Sequence, residues 1–321
     1  MLIIFLLSAV QSCSNIKSGS SSTDTSFTEI NVATLKGPSS VGAAKLLGDK
    51  PHLSDGTVIN YEIASSPDIL ISKIISGETG IAAIPTNSAA KLFNKGTNIK
   101  LAAVVGYGVL YLVYQGMELS DWQNLKTGTV YIPSKGTAPD IVFRYLLEKN
   151  GINPDSDLTL NYSIEQVELS QLLISGRAMI AVLPEPFVTM VLKKSTGARI
   201  AFDFEEQWKN YNDGSRLPMT CLVANSKFTE SGRSQLDEFL NLYKESIDWV
   251  KTNPGPASAA IEKLNIGMDA ETALAAIPRC NIEYTPASLA WKTVNEYIEV
   301  ILNFSPEDAG GKLPDESFYC K

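Results

Sequence analysis

Two short stretches place a cation, a glycine and hydroxyls directly ahead of a helical pattern: LKGPSS at 35–40 and IPSKGT at 132–137. The unpaired N–H groups of a helix start, together with its dipole, attract negative charge by about 0.3–2 kcal/mol per interaction. Lys36, Ser39 and Ser40 on one stretch, and Ser134, Lys135, Gly136 and Thr137 on the other, are therefore candidates for holding carboxylate, sulfonate or phosphate oxygens. The same residues have a plainer reading. The hydroxyls can cap their own helices, and both lysines can be solvated. Neither glycine belongs to a P-loop or a dinucleotide fingerprint. A third candidate is Glu185, where the apolar run of SGRAMIAVLPEPF (175–187) stops on a glutamate between two prolines. At a strand end it can accept hydrogen bonds from an amine, amide or hydroxyl of a ligand, or it can cap the helix that follows.

These residues are positioned by an internal repeat. SGETGIAAIPTNSAAKLF (76–93) and SGRAMIAVLPEPFVTMVL (175–192) share Ser, Gly, Ile, Ala and Pro at an offset of 99 residues, 175 against 76. NYEI at 60–63 and NYSI at 161–164 follow the same order, as do Gly37 and Gly136. Each copy reads strand, Gly/Pro/Ser loop, helix, strand, helix, strand, loop, helix, which predicts a parallel α/β sheet. The expectation is two α/β lobes with a hinge and a cleft between them. The chain divides into a leader and tether (1–28), the first part of lobe I (29–112), lobe II (113–215), and a mainly helical return to lobe I (216–321). In open α/β sheets the ligand lies beyond the carboxyl ends of the strands. That rule adds Asn87 and Tyr107 to the candidates, with Glu185 particular to lobe II because its counterpart is Thr86. Tyr107, Tyr111, Tyr114, Trp208 and Tyr211 either face a flat ligand or fill the core.

Composition narrows the function. At 321 residues two domains are expected. A net charge of -8 with no basic run argues against nucleic acid as a partner. The single histidine, His52, lies in a loop-like DKPHLSDG, so no Ser/His/Asp set can be assembled, and no metal-binding motif appears. No catalytic residue, metal or cofactor is expected. Cys221, Cys280 and Cys320 match no metal or redox spacing. Cys280 and Cys320 are the expected pair in an exported chain, three buried free thiols being the alternative.

The blocks "GPSS" before a helix, "SGETGIAAIPTNSAAKLFNKG", "IPSKGTAPDIVFRYLLEKNGI" and "SGRAMIAVLPEPFVTMVL" resemble the ABC-transporter substrate-binding proteins for nitrate, sulfonate, taurine and thiamine-precursor pyrimidines. The resemblance covers residues 29–225. It implies a type II periplasmic-binding-protein fold, a small anionic or zwitterionic ligand, sulfonate and heteroaromatic chemotypes included, and an ABC permease with a separate ATPase as partner. MLIIFLL followed by VQSC resembles a lipoprotein signal peptide, with Cys13 as the lipidated residue and the Ser/Thr/Gly-rich stretch 14–26 as a tether. A lipid anchor is then the only membrane attachment, on the outer face of the bacterial cytoplasmic membrane or in the periplasm. The apolar run is too short to span a bilayer. Two alternatives use the same frame: an enzyme resembling thiamine-pyrimidine synthases or a menaquinone-pathway dehydratase, and a ligand sensor for a signalling partner.

Overall fold

The computed structural model describes residues 27–64 and 66–321. Cys13 and the leader and tether around it lie outside the described residues. β1 (Glu29–Leu35) is followed by α1 (Pro38–Val41), α2 (Ala44–Asp49), β2 (Val58–Ala64), α3 (Pro67–Ser76), β3 (Ile81–Pro85), α4 (Thr86–Asn94) and β4 (Ile99–Tyr107). The local causes are visible in α3. Ser66 accepts the Ile69 N–H, Pro67 supplies a pre-set first turn, and Gly77 ends the helix at φ 77°. β1 pairs in parallel with both β2 and β3.

The apolar run 100–115 does not stay in one sheet. It divides at Gly108 and Val109, and β5 (Leu110–Tyr114) enters a second sheet. The first crossing therefore lies before residue 110, and residues 110–112 belong with lobe II. Gly108 permits the break: a Cβ there would stand 2.6 Å from the Glu205 Cβ, and its N–H donates to the Leu217 carbonyl at 2.9 Å. The second lobe continues with β6 (Thr129–Tyr131), α5 (Ala138–Lys149), β7 (Thr159–Asn161), α6 (Gln166–Ile174), β8 (Ile180–Pro184), α7 (Phe187–Lys194), β9 (Arg199–Asp203) and α8 (Phe204–Tyr211). Its sheet order is β7-β6-β8-β5-β9.

The chain then returns through β10 (Pro218–Asn225), which inserts antiparallel between β3 and β4. α9 (Ser226–Ser231), α10 (Arg233–Thr252), α11 (Pro254–Lys263), α12 (Ala270–Ala276), β11 (Ile282–Pro286) and α13 (Ala287–Phe304) complete lobe I. Its sheet runs β11-β4-β10-β3-β1-β2. The repeat is thus real in three dimensions. β2-β1-β3 and β7-β6-β8 have one topology, and each lobe receives next to its third strand an antiparallel strand, β10 or β5, reached by a crossing. This is the two-lobed type II periplasmic-binding-protein fold.

Packing accounts for most of the aromatic candidates. Trp208 is fully buried, tilted against Tyr145 at 5.0 Å between ring centroids and edge-on to Tyr297 at 6.1 Å, which ties α13 to the second lobe. The three cysteines are free and buried, so the expected Cys280–Cys320 pair does not form. β4 explains why. The Tyr107 N–H bonds the Asn281 carbonyl at one end of that strand, whereas the Cys320 N–H bonds the Leu101 carbonyl near the other. Six residues of strand separate these anchors by about 20 Å, far beyond the reach of a disulfide.

Candidate functional site

The carboxyl ends of β1, β3 and β8 face one another across a cleft of about 430 Å³. Lobe I contributes Lys36 to Ser39, Pro67, Pro85, Asn87 and Ser88. Lobe II contributes Gly136 to Pro139, Gln166 and Pro184 to Phe187. Val109, Met219 and Thr220 close the hinge side, and Asp308 enters from the C-terminal segment. A larger groove of about 750 Å³ runs between Trp291 and Tyr319, but all its walls belong to lobe I, so motion of the lobes cannot close it.

Helix starts converge on this cleft in repeat-related pairs: α1 with α5, α3 with α6, α4 with α7. α4 follows Pro85 and α5 follows Thr137, neither of which supplies a side-chain cap. The first-turn N–H groups at Asn87, Ser88 and Ala138 accordingly have no intrahelical partner. The backbone leading to them is fixed. Gly37 adopts φ 96° with its N–H on the Ile266 carbonyl. Gly136 adopts φ 74°, and its N–H donates to Asp140 Oδ2 at 2.8 Å. Buried Asp140 also receives Arg144 Nε at 3.0 Å and the Tyr162 hydroxyl at 2.8 Å. Burial and that carboxylate push the Tyr162 phenol up to about 12.

The candidates from the sequence separate into two groups. Lys36, Ser39, Asn87, Gly136, Thr137 and Glu185 line the cleft. Lys36 is exposed at its rim with no acidic partner among the described residues. The other four do not line it. Ser40 is buried and its hydroxyl donates to the Leu35 carbonyl at 2.5 Å, bracing the loop from behind. The Ser134 carbonyl accepts from the Thr137 hydroxyl at 2.9 Å. Lys135 Nζ sits over the Tyr162 ring, 5.9 Å from its centroid. Tyr107 lies beneath the hinge, where its hydroxyl donates to Thr285 Oγ1 at 2.7 Å and the Arg216 guanidinium stacks 3.9 Å from its ring centroid. Desolvation raises the Tyr107 phenol.

Glu185 lines the wall but its carboxylate is already engaged. It accepts from the Thr189 N–H at 3.2 Å, the Thr189 hydroxyl at 3.0 Å and Arg279 Nε at 2.5 Å. In the structure its oxygens make the helix-cap contacts and meet a cation. Arg279 carries no signal in IPRC that would have marked it. Asp308, Met219 and Gln166 were likewise invisible, because their positions depend on returns of the chain from outside the repeat or on a helix start without a capping residue. Asp308 is itself paired, with Lys91 Nζ at 3.0 Å and the Ser305 hydroxyl at 2.7 Å. The sole histidine is exposed and is not among the residues lining the cleft. Among the described residues no three His, Cys, Asp or Glu side chains gather as a metal site, and no helix is long and apolar enough to cross a membrane.

Comparison with known proteins gives the same frame. The sequence model of the NMT1-like family matches residues 74–265. A binding protein of Bacillus subtilis, YtlA, is 22% identical over 254 residues, covering 78% of this chain and 72% of that one. The crystal structure of an ABC transporter from Parabacteroides distasonis superposes with a TM-score of 0.79 at 29% identity, covering 92% of this chain and 99% of the other. The periplasmic aliphatic sulphonate binding protein SsuA of Escherichia coli shares the fold at 14% identity, with a TM-score of 0.70 over 90% of this chain and 93% of its own.

Proposed function

The chain belongs to the NMT1-like family, and from that premise we propose that it is the solute-binding component of an ABC importer, closing its lobes on a small organic anion. The observation that carries the ligand class is the convergence of helix starts from both lobes on one cleft, with uncapped N–H groups at α4 and α5. Charge favours the same reading. Of the cleft's acidic groups, Glu185 is matched by Arg279 and Asp308 by Lys91, whereas Lys36 is left to face a ligand. The remaining wall is largely apolar: Pro67, Pro85, Pro139, Pro184, Pro186, Val109, Met219 and Phe187. Such a wall suits the organic part of a sulfonate or carboxylate better than a bare inorganic ion. With Glu185 engaged, a ligand donor group has no free carboxylate on that wall, so the anionic class is favoured over the zwitterionic one.

A ligand touching both lobes stabilises the closed state over the open one, the differential affinity that closure needs. Transport follows by delivery to a membrane permease with its own ATPase, the protein being held at the outer face of the membrane through Cys13. Binding without chemistry is the consistent reading, since neither cleft carboxylate is free to act as a base. Calorimetry and native mass spectrometry with a panel of alkanesulfonates, carboxylates and amines test it. Saturable binding of an organic anion, recovered unchanged, is expected. Preference for amines overturns the ligand class, and turnover of a bound compound overturns the transport role.

A further inference from the structure

Asp308 reaches the cleft from outside the internal repeat, on the 3-10 turn Pro306–Ala309. That turn is pinned against α4. Asn94 Nδ2 donates to the Ala309 and Lys312 carbonyls, each at 2.7 Å, and a Cβ at Gly310 would stand 2.7 Å from the Asn94 Cβ. Asp308 is therefore fixed in place, and its two oxygens have different surroundings. Oδ1 takes Lys91 Nζ of α4 at 3.0 Å, one turn along the helix from the open N–H groups at Asn87 and Ser88. Oδ2 lies 3.9 Å from the point a Cβ of Gly136 would occupy, on the loop that leads into α5, and its hydrogen-bond donor is the neutral Ser305 hydroxyl at 2.7 Å. The carboxylate thus stands between the two uncapped helix starts.

Charge counting sets what such a cleft tolerates. Among its lining residues Lys36, Glu185 and Asp308 carry formal charges, with Arg279 on Glu185 and Lys91 on Asp308. Three cations meet two carboxylates, so one positive charge is left over. Nothing nearby changes that count: Lys135 precedes Gly136 but lies over the Tyr162 ring, and Asp140 behind the same loop is matched by Arg144. A single negative charge on the ligand balances the cleft. A second finds no cation and meets Asp308 Oδ2. Building on the organic-anion ligand above, we propose that Asp308 is the residue that restricts the cleft to monoanions, admitting a sulfonate or carboxylate head group and turning away an organic dianion such as a phosphonate. The Asp308 side chain is 26% exposed, so its repulsion is that of a partly screened charge and not of a dry one.

Calorimetry of the full chain with butanesulfonate and butylphosphonate, at an alkaline pH where the phosphonate carries two charges and the sulfonate one, reads this preference. The parent should bind the sulfonate more tightly. In Asp308→Asn both affinities rise, the phosphonate's more, and the preference narrows about fivefold to tenfold, the Coulomb scale of one charge at a partly exposed site. Glu307→Gln is the control. It removes the same charge one residue away, from an exposed side chain that is not among those lining the cleft, and should leave the preference within error. A parent that favours the phosphonate, an unchanged preference in Asp308→Asn, or an equal shift in Glu307→Gln overturns the filter. Should Asp308→Asn not fold, Lys91→Met decides: it strips the carboxylate of its cation, so the preference for the sulfonate must widen, and an unchanged or narrower one overturns the proposal. If butanesulfonate binds the parent and the ratio does not move, the filter alone falls. If neither anion binds the parent, the organic-anion reading falls and takes the filter with it.

Discussion

The ends of β3 and β8 are the same piece of backbone built twice, yet they finish in opposite ways. Lobe I ends in Pro85-Thr86, where buried Thr86 has only the Cys221 thiol beside its hydroxyl and α4 starts uncapped. Lobe II ends in Pro184-Glu185, where a carboxylate caps α7 through Thr189 and needs Arg279 from across the boundary. One wall offers its helix start to the cleft, and the other spends its helix start on joining the lobes. A duplicated fold thereby gains one wall for the solute and one for the hinge, with Glu185 and Thr189 standing where lobe I has Thr86 and Ala90.

Exchanging the two ends is the most direct way to break this contrast. Thr86→Glu puts a carboxylate into a site with no exposure and no arginine. The expected loss is about 3–5 kcal/mol at neutral pH, the scale of an unpaired buried charge, read by urea denaturation. The introduced carboxyl should hold its proton in the folded state, so the loss should shrink as the pH falls to about 4, where the unfolded chain is also protonated. A tolerated Thr86→Glu would mean the two ends are interchangeable. The reverse change, Glu185→Thr, removes a cap and the charge-assisted bonds to Arg279 but leaves a cation that can turn to water. Its expected cost is smaller, about 2–3 kcal/mol, again from denaturant unfolding. A cost below 0.5 kcal/mol, on the order of an ordinary surface change, would remove Glu185 from the account of α7.

How far the sequence spoke for itself differs between these same elements. The offset of 99 residues placed β3 against β8 at Ile81–Pro85 and Ile180–Pro184 because buried parallel strands are short continuous apolar runs, and their helix-terminating glycines, Gly77 and Gly176, recur. The cleft followed from strand ends, so Lys36, Asn87, Thr137 and Glu185 were legible as lining residues. What was hidden depends on chain returns. The break of 100–115 into β4 and β5 needs Leu217 and Glu205 beside Gly108. β11 is an edge strand that pairs with β4 alone, and its five residues IEYTP sit between helical segments. Lys135 looks as good a ligand cation as Lys36 until Tyr162 is placed under it. Arg279 acquires a role only when the C-terminal segment folds back on α7.

A second pair of strand ends, not related by the repeat, sharpens the comparison at lower amplitude. β9 ends in Asp203, whose carboxylate accepts the Glu205 N–H at 2.9 Å, and β10 ends in Asn225, whose amide oxygen accepts the Lys227 N–H at 3.0 Å. The caps are geometric equivalents, but one is ionisable. Desolvation pushes Asp203 up to about 6, against the opposing effect of its backbone bonds. Its folded pKa therefore stands above the unfolded value near 4. The contribution of this group to stability is greatest below that unfolded value, falls as pH rises through the window from about 4 to 6, and stays lower above it. Asp203→Asn keeps the cap and removes the charge. It should stabilise the protein by about 1–2 kcal/mol at pH 7, after allowance for the partial exposure of the site, and lose that advantage below about pH 4. Parallel unfolding curves across pH 4–7 for the variant and parent would contradict this origin for the difference.

The smallest effect belongs to the lysines of the two glycine loops, which the sequence presents as equals. Lys36 lines the cleft without an acidic partner among the described residues, while Lys135 rests on the Tyr162 ring. At an exposed rim a lysine contributes attraction on the order of 1 kcal/mol or less. Lys36→Ala should therefore weaken binding of an organic anion about threefold to fivefold in calorimetry, and the loss should fade at high salt as the charge is screened. Lys135→Ala should leave affinity within error and cost about 0.5–1 kcal/mol of stability, the scale of an exposed cation over an aromatic ring. Equal losses of affinity in the two variants would mean that the loops act symmetrically and that the Tyr162 contact gives way when the solute arrives.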